Sequence, residues 1–237
     1  MQIEKFSAST RGFANHGWLQ ANYSFSFANF HNPKRMQFGA LRVLNDDLIA
    51  PSMGFSTHPH QNMEIITIPL SGVLKHKDDM ANDWLYVRPN EVQVMSAGTG
   101  VYHSEVNASA NEHLSLFQIW VLPNKEGVKP RYNQESFDPE DRKNKLQVLV
   151  NDINDKGEGL KIHQNAKLSR IDLDKGMEFD YTMKSKDHGV YLMNISGEIQ
   201  VNDEEASSRD ALGVKGTETF NIKAKTNSEL LFIEVPV

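Results

Sequence analysis

The chain is expected to be all-β, with two β-barrel domains in tandem joined by short helical connections. Three observations carry this. Short β-branched or aromatic runs recur along the 237 residues, punctuated by Gly, Pro, Asn and Asp. Helical periodicity is nearly absent, and only residues 139–145 suggest a helical turn or two. Finally, the two halves echo each other across residues 124–145, a polar, Pro-, Asn-, Lys- and Glu-rich stretch of linker character.

The expected strands follow from these runs. Residues 39–44 carry Leu41, Val43 and Leu44, and stop at Asn45-Asp46-Asp47, which reads as a turn and not as a calcium loop because further oxygen ligands are missing. Residues 63–70 are rich in isoleucine and end at Ser71-Gly72, and residues 73–77 return from that turn. Residues 92–95 follow Pro89-Asn90, and residues 114–122 run to Pro123. In the second half, strands are expected at 190–201 and 230–235. Many short strands at close spacing suit a sandwich or small barrel. Ser71-Gly72-Val73-Leu74 is echoed by Ser196-Gly197-Glu198-Ile199, and the run from Leu116 to Pro123 by the run from Leu231 to Pro236. The domains are therefore divided as 1–135 and 136–237.

Composition excludes several classes of function. Cysteine is absent, so disulfides, thiolate nucleophiles and sulfur-ligated metals are out, leaving His, Asp and Glu as metal ligands. A net charge of -6 argues against direct binding of nucleic acid. The densest basic stretch, Arg142-Lys143-Asn144-Lys145, follows Asp138, Glu140 and Asp141 and reads as solvated mixed charge. No run approaches the ~18 apolar residues of a membrane span, and Met1 to Lys5 lack the character of a signal peptide, so a cytoplasmic address is expected.

Two polar signatures lie about 45 residues apart: His58-Pro59-His60 and His103-Ser104-Glu105. Residues i and i+2 of a strand share a face, so each signature aims two ligand-type side chains in one direction. Imidazole and carboxylate suit a borderline divalent ion: iron, manganese, nickel, copper or zinc. Four such donors leave a coordination position open for water, dioxygen or a substrate oxygen, as a reaction centre requires. The second half lacks this set. Carried across by the echo, His58 and His60 fall on Met183 and Ser185, and His103 and Glu105 on Ile222 and Ala224. His188 stands alone there and reads as a surface or core residue. Gly98-Thr99-Gly100 is followed by no Lys-Ser or Lys-Thr, so it reads as a tight turn, not a phosphate loop. Trp18, Phe25, Phe27 and Phe30 are expected to pack in the core or cover a sheet edge.

At these residues the sequence resembles the pirin family of two-domain cupins. The resemblance runs through His16-Gly17-Trp18-Leu19, Phe25-Ser26-Phe27-Ala28 and Leu41 to Asp47. It continues through Gly54 to Glu64, Arg88 to Gln93, Met95 to Glu105 and Gln118-Ile119-Trp120, with His163-Gln164-Asn165-Ala166 in the second half. It implies a bicupin with one metal in the N-terminal domain, held by His58, His60, His103 and Glu105, and a C-terminal domain without ligands. Fe(II) is the expected ion, with Mn, Ni, Cu or Zn compatible. Glu64 is then expected to orient a ligand histidine through its other nitrogen, being four residues beyond His60 on what should be the same face.

Several pirins cleave quercetin with dioxygen, and another is described as an iron-dependent nuclear co-regulator. The leading expectation is a metal-dependent dioxygenase acting on a flavonol such as quercetin, or on another phenolic or enolic small molecule. Glu105, or alternatively Glu64, would take the substrate proton. The alternative is a non-catalytic metal- or redox-sensing regulator acting through a protein partner. Shared fold does not decide between them.

Overall fold

The computed structural model describes residues 1–237 as an all-β bicupin with two short 3₁₀ turns, Ala8–Thr10 and Pro139–Arg142. No helix is long and apolar enough to cross a membrane. The second 3₁₀ turn is what remains of the helical stretch expected at 139–145. Asp138 caps it, its carboxylate accepting from the Glu140 N–H at 3.0 Å.

Each half pairs a seven-stranded sheet with a four-stranded one. In the first, the large sheet runs in the order Arg131–Ser136, Glu91–Ser96, Glu64–Ser71, Leu114–Val121, Leu41–Ile49, Leu19–Tyr23, Gly12–Asn15. Its small sheet is Gly54–His60, Val101–Asn107, Leu74–Asp78, Leu85–Val87. The second half repeats the plan with Ala211–Lys215, His188–Ser196, Ser228–Pro236 and Lys167–Leu173 at the centre of the large sheet, and Glu178–Thr182, Thr219–Ala224, Ile199–Val201 and Glu204–Ala206 in the small one.

The central strands are buried on both faces, which is why they read as continuous apolar runs. Alternate residues point to different cores. Ile66, Ile68, Phe117 and Ile119 of the first large sheet meet Tyr191, Met193, Leu231 and Ile233 of the second in a core of 26 residues shared by both halves. Leu192, Leu230 and Phe232 face the other way, into the interior of the second half.

The echo in the sequence is a shared turn. Gly72 and Gly197 have φ of 79° and 92°, the left-handed region that glycine enters at little cost. Each also lies where a side chain would strike the backbone at the start of its half's last long strand: His113-Leu114 in one, Asn227-Ser228 in the other.

Three expectations change. Asn45-Asp46-Asp47 is not a turn but the middle of the strand Leu41–Ile49. The segment 190–201 is broken at Gly197 into two strands belonging to different sheets. And Gln2–Phe6 pairs with Ala211–Lys215, so the expected unit 1–135 lends its first strand to the other half, where it covers a sheet edge.

Candidate metal centre and cavity

The two polar signatures are neighbours in the small sheet. Gly54–His60 pairs antiparallel with Val101–Asn107, placing His103 opposite His58 and Val101 opposite His60. A bulge between His103 and Glu105 shifts that register and re-aims the strand. On its other side, the same strand sets Glu105 opposite His76 and His103 opposite Asp78. Gly54 permits the approach, since a side chain there would collide with the Glu105 carbonyl.

The rings of His58, His60 and His103 form a triangle with centroids 4.4 to 4.9 Å apart. His58 donates from Nδ1 to the Ser56 carbonyl at 2.7 Å, which leaves its Nε2 lone pair free. That Nε2 lies 2.9 Å from Nε2 of His103. Burial, reinforced by His58, pushes His60 down to about 4. Burial and the three neighbouring imidazoles push His103 well below the ordinary histidine range. Both are therefore neutral near pH 7, the form that ligates metal.

Glu105 is buried, and desolvation raises its carboxyl to about 7 against the opposing pull of Gln118 and Thr67. Gln118 Nε2 donates to Glu105 Oε2 at 2.9 Å, while the Thr67 hydroxyl lies 3.1 Å from Gln118 Oε1 and 3.5 Å from Glu105 Oε1. The donor atoms fall into two groups that share His103: His58, His60 and His103, and His76, His103 and Glu105. His76 is already committed on both nitrogens. Its Nε2 donates to Asp78 at 2.9 Å, and its Nδ1 accepts from Gln93 at 3.2 Å. That leaves the His58, His60 and His103 imidazoles as one cluster, with the Glu105 carboxylate joined to it through His103; nitrogen and carboxylate donors of this kind suit a divalent transition ion.

Glu64 is not part of this site. It belongs to the large sheet, where its parity with Ile66 and Ile68 turns it toward the second half. There it accepts from Ser96 Oγ at 2.6 Å, and burial raises its carboxyl to about 7 despite Ser96, His163 and Arg131. Parity carries from residue to residue only within one strand. His60 and Glu64 lie on different strands, with Asn62 at φ 48° between them. His76, by contrast, was missed although a signal was present: His76-Lys77-Asp78 is the same i, i+2 pattern on a strand.

Beside these residues lies a cavity of about 390 Å³. Trp18, Phe27, Phe55 and Trp120 give it aromatic walls, and Asn45, Asp47, Glu105 and Gln118 give it polar ones. Of the four aromatic residues expected to pack as core or edge cover, Phe25 lies in the shared core and Trp18, Phe27 and Phe30 pack against an apolar cluster of the first half, where Trp18 and Phe27 also line the cavity. Burial first, then Asp46 and Glu105, push Asp47 up to about 8. His188, the lone histidine of the second half, is a buried core residue bonded to Glu234 and Asn165 at 2.9 and 3.1 Å.

Known proteins share both sequence and structure with this chain. The family model described as Pirin matches residues 6–121, and that of the quercetinase C-terminal cupin domain matches residues 149–235. Quercetin 2,3-dioxygenase of Escherichia coli (strain K12) is 42% identical over 229 residues, covering 97% of this chain and 96% of the relative. A pirin-like protein of Caulobacter vibrioides is 38% identical, covering 94% and 95%. The crystal structure of the bacterial pirin YhhW from Escherichia coli in complex with nickel(II) superposes with a TM-score of 0.92 at 38% identity, covering 99% of both chains. With the two cupin domains in place and a likeness spanning nearly its whole length, the chain belongs to the pirin family.

Proposed function

We propose that His58, His60, His103 and Glu105 hold one divalent transition metal, Fe(II) in the working enzyme, and that the protein opens a flavonol such as quercetin with dioxygen. The observation that carries this reading is the meeting of neutral, convergent imidazoles and a buried carboxylate with an aromatic-walled cavity of about 390 Å³, large enough for a flat phenolic or enolic molecule. The ion, when bound, supplies Lewis acidity to a substrate enol oxygen and a redox partner for dioxygen. Manganese, nickel, copper and zinc suit the same donors.

The chain's own residues supply the remainder. Trp18, Phe27, Phe55 and Trp120 offer faces and edges against which a planar ring system packs. Glu105 is the acceptor for the substrate hydroxyl proton. A carboxylate beside the ion lies within reach of the hydroxyl of a bound substrate, as a general base requires. Gln118 and Thr67 fix its orientation. Loss of the proton makes the heterocycle electron-rich enough to react with dioxygen, and the ring opens with release of carbon monoxide. In this reading residues 1–135 carry the chemistry, while residues 136–237 contribute packing and hold no metal.

The test follows loss of the flavonol absorbance together with carbon monoxide release, under air and under nitrogen. Iron-, manganese- and nickel-loaded protein should consume quercetin or a related enol in air alone. If all three leave these substrates untouched, the dioxygenase reading fails and a metal- or redox-sensing role takes its place.

A further inference from the structure

Two cavity-lining side chains remain without a role. Asn45 and Asp47 are each only 4% exposed, and Oδ1 of each has no hydrogen-bond partner. Burying an unpaired polar atom costs stability, so such atoms call for an explanation. Both residues project from Leu41–Ile49 of the large sheet, whereas the imidazoles come from the small sheet, and both groups line one cavity. Directly opposite Asp47 on the adjacent strand stands Ala21, also a lining residue, whose methyl leaves the carboxyl uncovered from that side.

The fold itself does not require a carboxyl here. Asp47 pairs with Leu116 in the first half, as Ile171 pairs with Leu230 in the second. Ile171 is fully buried among apolar neighbours, so at the equivalent position the same architecture takes a hydrocarbon. The polar group belongs to the cavity, not to the sandwich.

We propose that Asp47, with Asn45 beside it, is a substrate-positioning group. It hydrogen-bonds the carbonyl oxygen next to the reacting hydroxyl of a flat aromatic enol, and so sets which edge of the ring system meets the imidazoles. Such a bond needs a donor. Burial of the Asp47 carboxyl favours its protonated form, which can donate. Asn45, which can donate or accept, completes a polar pair matched to adjacent oxygens on a planar ligand. This inference rests on the flavonol reading for its ligand class but not on turnover.

The experiment measures quercetin binding to nickel-loaded protein under nitrogen, through quenching of the fluorescence of Trp18 and Trp120, with metal content determined on each sample. Asp47→Leu should weaken binding by about 10-fold, the scale of one hydrogen bond, at unchanged metal content. Asp47→Asn keeps a donor and should bind within about threefold of wild type. Unchanged binding in Asp47→Leu, or equal loss in Asp47→Leu and Asp47→Asn, overturns the assignment. Should Asp47→Leu misfold or lose metal, Asp47→Ala carries the same expectation; if that variant also loses metal, Asp47 supports Glu105 and is not a positioning group. Wild-type protein that binds quercetin but never consumes it removes the dioxygenase and leaves the anchor standing. Wild-type protein that does not bind quercetin removes the anchor for this ligand class.

Discussion

The two cupin domains of this chain are one scaffold furnished twice. Strand register relates them position by position. His103 and Glu105 correspond to Phe220 and Ile222, and His58 to Tyr181, each two residues before the position that the sequence echo gives (Ile222, Ala224 and Met183). Thr67 and Gln118, paired across the large sheet, correspond to Leu192 and Phe232, paired in the same way. Where the first domain holds imidazoles and a carboxylate beside a cavity, the second is filled, with Tyr181 stacked on Phe232 at 4.6 Å and 7°. The difference teaches that strand order, turns and shared core are indifferent to the chemistry inside. A site is made by exchanging interior side chains, at a cost in packing that the first domain bears and the second does not.

The largest effect should come from exchanging the roles of equivalent positions. His58→Ala or His103→Ala should reduce bound metal from about one ion per chain to none after dialysis. Phe220→Ala, at the position equivalent to His103, should leave metal in place but destabilise the fold by about 3–5 kcal/mol. Metal analysis and denaturant melts read the two outcomes. Two retained ions per chain, or full occupancy in His103→Ala, would break the comparison.

Removing the charge of Glu105 tests chemistry with little change of shape. Glu105→Gln should hold part of its metal yet lose at least ~100-fold in quercetin turnover, the scale of a general base. Next in size, Gln118→Leu imports the apolar character found at Phe232 and releases the grip on Glu105; a loss of ~10–100-fold in metal affinity or turnover is expected. Glu64→Gln should leave turnover near wild type, because its carboxylate faces Ser96 and the second domain. A large drop in Glu64→Gln would return that residue to the site.

The last comparison concerns pH. Asp47 is raised to about 8 in the folded chain from an ordinary 3.8, so the folded state holds a proton that the unfolded state releases. Its contribution is present below about pH 4 and is lost as pH rises toward 8. In metal-free protein, Asp47→Asn should therefore raise the melting temperature more at pH 8 than at pH 5, by on the order of 10 °C. Glu64, raised to about 7 on the face turned to the second half, titrates alike in both proteins and cancels in that difference. An equal shift at both pH values would mean that Asp47 is ionised in its cavity.

Much of the candidate site was legible because its signal is local. His58 with His60, and His103 with Glu105, each declare a shared face within one strand, and the echo at Gly72 and Gly197 declared the duplicated plan. What stayed hidden depended on partners distant in sequence. Asn45-Asp46-Asp47 has the composition of a turn because polar residues lining a cavity and polar residues in a loop look the same until the opposing sheet is known. Glu64 was placed by counting from His60, and the count does not survive the change of strand at Asn62. Gln2–Phe6 offers only Ile3 and Phe6 as apolar residues, too little to announce a strand whose partner is Ala211–Lys215.

That first strand has a consequence for how the molecule is made. Gln2–Phe6 pairs with Ala211–Lys215, and the Ala8 N–H reaches the Asp210 carboxylate 202 residues away. During synthesis Gln2–Phe6 therefore waits for a partner that emerges long after it. The first half can assemble its own sheets while Gln2–Phe6 hangs unplaced, an arrangement of high contact order that folds slowly at its final step. Removing Gln2–Phe6 thus disturbs the closing of the second half, and reaches the first only through the core they share.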